Sequence, residues 1–161
     1  MQLVESGSYG VLPLLVVALY FPVLALWLSV IDIRCRLLPD RIVLPSLAGV
    51  LLLLALASAL GPGIAIWGRV LLAAGGCSGL YAVLHLISPS GLGLGDVKLA
   101  AVLGSYLGYL GWEQVLIGIA VGFVAGGALG AWFLARDGPC TELPFAPFMF
   151  AGAAGPLLLV P

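Results

Sequence analysis

The chain has 161 residues, of which 63% are hydrophobic and only 8% are charged, and its formal net charge is −1. A soluble domain carries about a quarter of its residues as charged side chains, so this composition excludes an ordinary water-facing surface and indicates an integral membrane protein. The net charge also argues against a nucleic-acid partner, because binding to phosphates needs a basic patch.

The apolar stretches of the chain predict a series of membrane-spanning helices. Residues 1–10 include no lysine or arginine, so they lack the positive region of a cleaved signal peptide and are expected to form a short outer segment. A span needs about 20 mostly apolar residues. We interpret six stretches as spans: 11–31, 42–60, 70–88, 97–111, 113 or 114 to 135, and 145–160. The predicted fold is an all-α membrane protein, a polytopic six-transmembrane-helix bundle forming a single domain over residues 1–161.

The basic residues predict the orientation of this bundle, because positively charged loops stay on the cytoplasmic side of a membrane. If six helices alternate, one face receives most of the basic residues: Arg34, Arg36, Arg41, Lys98 and Arg136. Arg69 falls on the other face with Trp67 and Trp112, and indole rings favour the membrane interface. Both termini are therefore expected outside, with cytoplasmic loops at about 32–41, 89–96 and 136–144.

Two aspartates are the strongest candidates for chemistry. Asp32 ends the first predicted helix and Asp96 begins the fourth, and two crossings lie between them, so both are expected at the same face. A carboxylate at the membrane edge is costly and is a functional candidate by default. Paired carboxylates in a partly dry site share one proton, so that one activates water while its protonated partner polarises a peptide carbonyl. This is the chemistry of an aspartic protease, and no metal or cofactor is expected for it.

The stretch GLGLGDVKLA at 91–100 surrounds the second acid with glycines. Glycine lets the backbone turn sharply and approach other groups closely, so we interpret Gly93 and Gly95 as part of the functional motif. Small residues also recur at every fourth position further along, and we interpret these as helix-packing positions. They are Ala100, Gly104 and Gly108 in the fourth helix, and Gly118, Gly122, Gly126 and Gly130 in the fifth.

Two further charged residues have alternative interpretations. Asp40 precedes the second predicted helix, so the simplest role is that of its N-cap, and substrate positioning is the alternative. For Lys98 the sequence leaves two roles equally open. In the first role, it acts at the site, either by keeping Asp96 ionised or by contacting substrate. In the second, its side chain extends towards lipid phosphates.

The remaining polar residues predict no second reactive centre. The chain has one histidine and three separate cysteines, which leaves no catalytic triad, no histidine pair for a metal and no CxxC pair. His85 is therefore interpreted as structural. Pro144 and Pro147 are expected to shape the start of the last helix, with substrate positioning as their alternative role.

Three elements, in order, carry a family resemblance. GLGLGDVK contains GxGDxK, and the first acid stands in IDIRCRLLPDRIVLP, where a basic loop and a Pro-Asp follow it. The segment ELPFAPFMFAGA at 142–153 is similar to a Pro-Phe-Gly-Pro element, with Ala146 where glycine is usual. Over about residues 20 to 155 the chain thus resembles the prepilin peptidases, polytopic GxGD aspartic proteases of bacteria.

The resemblance implies an endopeptidase of the inner or plasma membrane that acts at the cytoplasmic face. Its substrate would be a type IV prepilin or pseudopilin, cut between a basic leader and a hydrophobic helix. Asp32 and Asp96 would be the catalytic pair, with Gly93, Gly95 and Lys98 as the supporting motif. Larger members carry a cytoplasmic domain with paired CxxC motifs that methylates the new N-terminus. This chain has no CxxC and no room for that domain, so N-methyltransferase activity is not expected.

Two other functions are open at this point. The first is that of a presenilin-type GxGD protease. Those proteases pair the motif with Tyr-Asp, whereas Ile31 precedes the first acid here and only two helices intervene before Asp96, which argues against this function. A small ion or proton-coupled transporter would also use intramembrane aspartates. Against that function, the sequence has no visible inverted repeat and both acids are expected at one face.

Overall fold

The protein folds into a bundle of helices, which confirms the predicted all-α class. The computed structural model describes residues 5–35, 40–60, 63, 65–87, 92–137 and 146–159. Over these residues there are six helices and no strand: α1 (Glu5–Cys35), α2 (Asp40–Leu60), α3 (Ala65–Ile87), α4 (Leu94–Leu110), α5 (Trp112–Asp137) and α6 (Ala146–Leu159). Within the described residues, three stretches are long and apolar enough to cross a membrane: Leu15–Arg34, Asp40–Leu60 and Ala65–Ile87. Shorter apolar helical stretches cover Trp112–Ala128 and Ala146–Gly155.

Five of the six helices begin earlier than the apolar pattern predicts. Helices α1, α3 and α5 begin at Glu5, Ala65 and Trp112, where starts at 11, 70 and 113 or 114 were expected, so α1 includes part of the predicted outer segment. The fourth span was expected from residue 97, but α4 begins at Leu94 and includes Asp96 in its first turn. The carboxylate of Asp96 accepts a hydrogen bond from the backbone N–H of Gly93, and this bond lets the helix start before its apolar run. The second span was expected from residue 42, but α2 begins at Asp40. Hydropathy marks the part of a helix that faces lipid, whereas the polar first turn is set by hydrogen bonding.

Helix α4 lies at the centre of the bundle. It packs against α2, α3, α5 and α6, and every residue from Val102 to Gly108 is buried. A helix that is buried all round can carry polar side chains only where they have partners or near its ends. Ser105 accordingly donates its hydroxyl to the carbonyl of Ala101, at 2.7 Å.

Glycines allow α4 to lie directly against α3, as the spacing predicted. A Cβ atom on Gly104 would lie 2.7 Å from the carbonyl oxygen of Ala73 and 2.9 Å from Cβ of Cys77. On Gly108 it would lie 2.5 Å from Cβ of Ala73. These two positions therefore have no room for a larger side chain, and close packing of small residues is what holds membrane helices together.

The predicted packing role of Gly118 and Gly122 in the fifth helix is also confirmed, against α6. A Cβ atom on Gly122 would lie 3.4 Å from the carbonyl oxygen of Phe148, and one on Gly152 of α6 would collide with the carbonyl oxygen of Gly118. The α5 and α6 backbones thus touch through their glycines. This contact fixes where α6 begins relative to the rest of the bundle.

Aromatic side chains connect α1 to the central helix. Phe21 stacks on Tyr106 of α4 with ring centroids 4.9 Å apart, and it meets Phe150 of α6 edge-on at 5.7 Å. Among the described residues, no Cα atom of α1 lies within 8 Å of a Cα atom of α4. Large side chains therefore bridge the two backbones, and α1 and α4 stand apart along their length.

Arg69 closes the far end of α4. Its guanidinium donates to the carbonyl oxygens of Gly108 at 2.7 Å and Tyr109 at 2.8 Å. The last carbonyl groups of a helix have no partner within the helix, so this side chain of α3 satisfies two of them and brings a positive charge to the negative end of the helix dipole.

Candidate active site

The two aspartates singled out by the sequence are buried at the same end of the bundle. Asp32 lies in the last turn of α1 and is 4% exposed, and Asp96 lies in the first turn of α4 and is 6% exposed. They share this end with the start of α6. The two carboxyl groups lie within the range of electrostatic interaction with each other. Buried carboxyl groups are rare in membrane proteins outside functional sites.

Asp32 is held by the backbone of α6. Its Oδ2 atom accepts a hydrogen bond of 2.9 Å from the N–H group of Ala146, the first residue of that helix. The first N–H groups of a helix have no partner within it and lie at the positive end of its dipole, so they suit a carboxylate. Sequence reasoning noted Ala146 only as a departure from the usual glycine. Its contribution comes from the backbone, and the residue type carries no signal of it.

Asp96 is held by the residue that precedes its helix. Gly93 donates its N–H to Oδ2 of Asp96 at 3.1 Å, and the N–H of Asp96 donates to the carbonyl of Gly93 at 3.1 Å. The other oxygen, Oδ1, is buried and has no hydrogen-bond partner among the described residues. An unpaired buried polar atom costs about 1–3 kcal/mol, so each one in a native protein needs an explanation, of which a catalytic role is one.

Gly93 contributes through its N–H group and not through glycine's special backbone freedom. Its φ of −76° and ψ of 154° are extended values that any residue adopts. A Cβ atom there would lie 3.6 Å from Oδ2 of Asp96, which is ordinary contact. The predicted sharp turn is therefore absent at this residue. Gly95 lies within the first turn of α4, and Gly91 lies outside the described residues.

Lys98 contacts Asp40 and not Asp96. Its Nζ atom lies 2.6 Å from Oδ1 of Asp40, which joins the second turn of α4 to the first residue of α2. Asp40 is the first residue of α2 and not the predicted N-cap before it, and its carboxylate pairs with a lysine from another helix. Both side chains are partly exposed, and such pairs contribute about 0–1 kcal/mol to stability.

The other candidates flank the acids. His85, near the end of α3, has its Nδ1 atom 2.6 Å from the carbonyl oxygen of Leu92. Tyr81, one turn earlier and buried, lies near enough for the charge of Asp96 to act on it. Pro147 is the second residue of α6, where a missing N–H costs nothing, so it fits the predicted role at the start of that helix. Pro144 lies outside the described residues.

Comparison with known proteins finds one family over most of the chain. The model of the type IV leader peptidase family matches residues 19–131. The prepilin leader peptidase/N-methyltransferase of Burkholderia pseudomallei strain 1026b is 35% identical over 141 residues, which cover 81% of this chain and 42% of that protein. The protein of the same name from Pseudomonas putida is 31% identical over 157 residues, covering 92% of this chain and 51% of that protein.

A third relative gives the same result. The prepilin leader peptidase/N-methyltransferase of Stutzerimonas stutzeri is 33% identical over 130 residues, covering 76% of this chain and 42% of that protein. The chain thus spans about half or less of the length of these relatives. No solved structure matches the chain.

Proposed function

This chain belongs to the type IV leader peptidase family, and from that premise we propose that it is a membrane aspartic endopeptidase. Its substrate is a type IV prepilin or pseudopilin, which it cuts between the basic leader and the hydrophobic helix that follows. Asp32 and Asp96 are the catalytic pair. The relatives' names supply the substrate class, and the two buried acids supply the reaction type.

The unpaired Oδ1 atom of Asp96 is the observation that carries this proposal. Each acid has its Oδ2 atom held by one backbone N–H, from Ala146 for Asp32 and from Gly93 for Asp96. Holding one oxygen fixes the orientation of each carboxyl group and leaves the other available for a reactant. A packing role would not require Oδ1 of Asp96 to stay buried without a partner.

The separation of the helix backbones supports room for a substrate. Within the described residues no Cα atom of α1 comes within 8 Å of one of α4. A peptide bond and one water molecule need such a gap if they are to reach two carboxyl groups from opposite sides. General acid–base catalysis requires heavy-atom distances of about 2.6–3.2 Å, and these are often longer before substrate binds.

The proposed reaction is one in which the two carboxyl groups share a single proton. The ionised group takes a proton from water as the water oxygen attacks the scissile carbonyl carbon. The protonated group gives its proton to the carbonyl oxygen. In the second half, the newly protonated carboxyl group gives its proton to the amide nitrogen and the C–N bond breaks, while the ionised carboxylate takes a hydroxyl proton from the tetrahedral intermediate as its carbonyl re-forms. The dyad returns to its starting protonation, and no covalent enzyme intermediate forms.

The same end of the bundle is proposed to face the cytoplasm. Arg34 near the end of α1, Arg41 in the first turn of α2 and Arg136 near the end of α5 all belong to that end and are exposed. Basic residues next to membrane spans are retained on the cytoplasmic side. A prepilin leader, which is basic, would be retained there for the same reason, so the cleavage point and the dyad would lie at one membrane face.

Of the two activities in the relatives' name, only the peptidase is proposed for this chain. Its cysteines form no CxxC pair, and Cys77 is a buried free thiol within α3. We expect the 161-residue chain to release a pilin with an unmethylated N-terminus when S-adenosylmethionine is present. Detection of a methylated N-terminus by mass spectrometry would contradict this expectation.

The proposed function is tested by co-expressing the chain with candidate prepilins. Wild type is compared with Asp32→Asn and Asp96→Asn, which keep the side-chain shape and remove the acid. Cleavage should fall by at least about a hundredfold in each, since general acid–base groups contribute about that much or more. The readouts are pilin size on a gel and the new N-terminus by mass spectrometry.

Asp40→Asn is the matched control, because it removes an exposed acid at the same end of the bundle. It should cleave within about threefold of wild type, as expected for a surface pair of little energetic weight. If either Asp32→Asn or Asp96→Asn cleaved at the wild-type rate, the substituted residue would not be catalytic. Ion uptake by proteoliposomes that depends on Asp96, without cleavage of any prepilin, would favour the transporter.

A further inference from the structure

One peptide group connects the histidine of α3 to Asp96. The carbonyl oxygen of Leu92 lies 2.6 Å from Nδ1 of His85, and the N–H of Gly93 donates to Oδ2 of Asp96 at 3.1 Å. The carbonyl of Leu92 and the N–H of Gly93 belong to the same peptide bond. A carbonyl oxygen can only accept, so Nδ1 of His85 must carry the hydrogen in this contact.

The geometry of a peptide bond makes this connection directional. The bond is planar and trans, so its C=O and N–H groups point in opposite directions. Whatever holds the carbonyl of Leu92 therefore also sets the direction of the N–H of Gly93. A hydrogen bond to the carbonyl also polarises the peptide, which makes its N–H a better donor.

This peptide needs an external anchor. It precedes α4, so no hydrogen bond within that helix holds the carbonyl of Leu92. Gly93 has no Cβ atom, and the peptide before a glycine can rotate with little steric resistance. Rotation would turn the N–H of Gly93 away from the carboxylate. Leu92 is itself buried, so an unpaired carbonyl there would also be costly.

We propose that His85 is a positioning residue for Asp96. It holds the Leu92–Gly93 peptide with its N–H directed at Oδ2 of Asp96, and this fixes the carboxyl plane so that Oδ1 stays available for a reactant. The inference rests on the proposed function and adds to it a residue that the sequence gave no reason to connect with catalysis. His85 touches neither substrate nor the reacting atoms and acts only through the peptide.

Two variants of similar shape distinguish a positioning role of His85 from a role in which its side chain only fills space. His85→Asn retains a donor, because its Nδ2 atom can occupy the place of Nδ1, whereas His85→Leu has nearly the same branched shape and no donor. The full chain in proteoliposomes is assayed with a synthetic prepilin peptide, and kcat and KM are measured separately. Thermal unfolding of each variant is measured in parallel.

We expect His85→Leu to lower kcat by about tenfold or more with KM within about twofold, because misplacing a catalytic group slows the chemical step. His85→Asn should restore kcat to within about threefold of wild type by the same argument. Wild-type kcat in His85→Leu would overturn the proposal. So would equal losses of kcat in both variants, since a residue that only fills space is not rescued by a donor.

Further variants keep the test decisive. If His85→Leu fails to insert or fold, His85→Gln replaces it, because its amide donor lies one bond further out, at the place of Nε2. Gly93→Pro removes the N–H through which His85 is proposed to act, so combining it with His85→Leu should cause no further loss of kcat. Additive losses would overturn the proposal. Asp96→Asn is included in every assay, and an active Asp96→Asn would instead overturn the proposed function.

Discussion

Each of the two buried carboxylates is held by one N–H group near the start of a helix. Asp32 binds the first residue of α6, and Asp96 binds the residue before α4. The N–H of Ala146 is fixed by the helix that it begins, whereas the N–H of Gly93 precedes α4 and is held, in our proposal, through His85. Backbone donors therefore give the proposed dyad fixed orientations without adding a charged partner.

Substitutions at Gly93 test whether its N–H group is what matters. Gly93→Ala keeps the N–H and adds a methyl group in a place with ordinary contact distances, so activity should stay within about threefold of wild type. Gly93→Pro fits the φ of −76° but has no N–H, and kcat should fall by about tenfold or more. Equal activity in Ala and Pro variants, from initial-rate assays, would show that this hydrogen bond is dispensable.

The ion pair between Lys98 and Asp40 is expected to have a small effect. Lys98→Met should lower the free energy of unfolding by less than about 1 kcal/mol, since both partners are partly exposed. Adding Asp40→Asn should cause little further loss, because the pair is already broken. Chemical denaturation in detergent micelles measures both. Loss of cleavage in Lys98→Met at unchanged stability would instead assign Lys98 to substrate binding or to Asp96.

At the scale of elements, contacts of α4 with α3 and of α6 with α5 fix the positions of the proposed dyad and its supports. Gly104 and Gly108 bring α4 against α3, which carries His85, and Gly152 brings α6 against α5. Helix α1, which carries Asp32, is connected to α4 through the stacked rings of Phe21 and Tyr106. Displacement of any of these helices would change the distance between the carboxyl groups.

A pair of glycine substitutions tests the contact between α3 and α4. Gly108→Ala places a methyl group 2.5 Å from Cβ of Ala73, and overpacking of this kind costs about 1–3 kcal/mol. Gly75→Ala is the control on α3, since no atom lies within 4 Å of its added Cβ, and it should be neutral or stabilising by up to about 1 kcal/mol through helix propensity. Thermal unfolding in detergent compares them. Equal unfolding temperatures would contradict tight packing at Gly108.

At the scale of the whole molecule, the number of crossings decides which residues can meet. Helices α2 and α3 lead the chain away from the end of Asp32 and back again, so Asp96 returns to that end. The end of α1, the start of α4 and the start of α6 consequently lie together, and these carry the two acids and the N–H of Ala146. An odd number of intervening helices would have separated the acids by the thickness of the bundle.

The orientation of the bundle in the membrane is tested by cysteine labelling. The native cysteines Cys35, Cys77 and Cys140 are replaced by alanine, and a single cysteine is introduced at Arg136 or at Trp112, which are both exposed. A membrane-impermeant maleimide added to intact cells should label Trp112→Cys and leave Arg136→Cys unlabelled until the cells are opened, because basic ends stay in the cytoplasm. The reverse pattern would place the proposed dyad outside.

The sequence alone determined the class of fold, the number of helices and the pairing of ends. Hydropathy along a chain is a local property, and long apolar stretches must form helices in a membrane because their backbone groups find no partners in lipid. The alternation of six such stretches then predicted that Asp32 and Asp96 share one end. Small residues at every fourth position likewise predicted the close contacts of Gly104, Gly108, Gly118 and Gly122.

Tertiary structure alone decided which groups hold the acids. The residue types of Ala146 and Leu92 give no sign of these contacts. The N–H of Ala146 binds Asp32, and the carbonyl oxygen of Leu92 binds His85. Every residue carries these backbone groups, so sequence cannot distinguish the one that is used. The partner of Lys98 was undecided for a related reason. Long-range contacts depend on how helices pack and rotate against each other, and that arrangement is set by the summed fit of all their side chains.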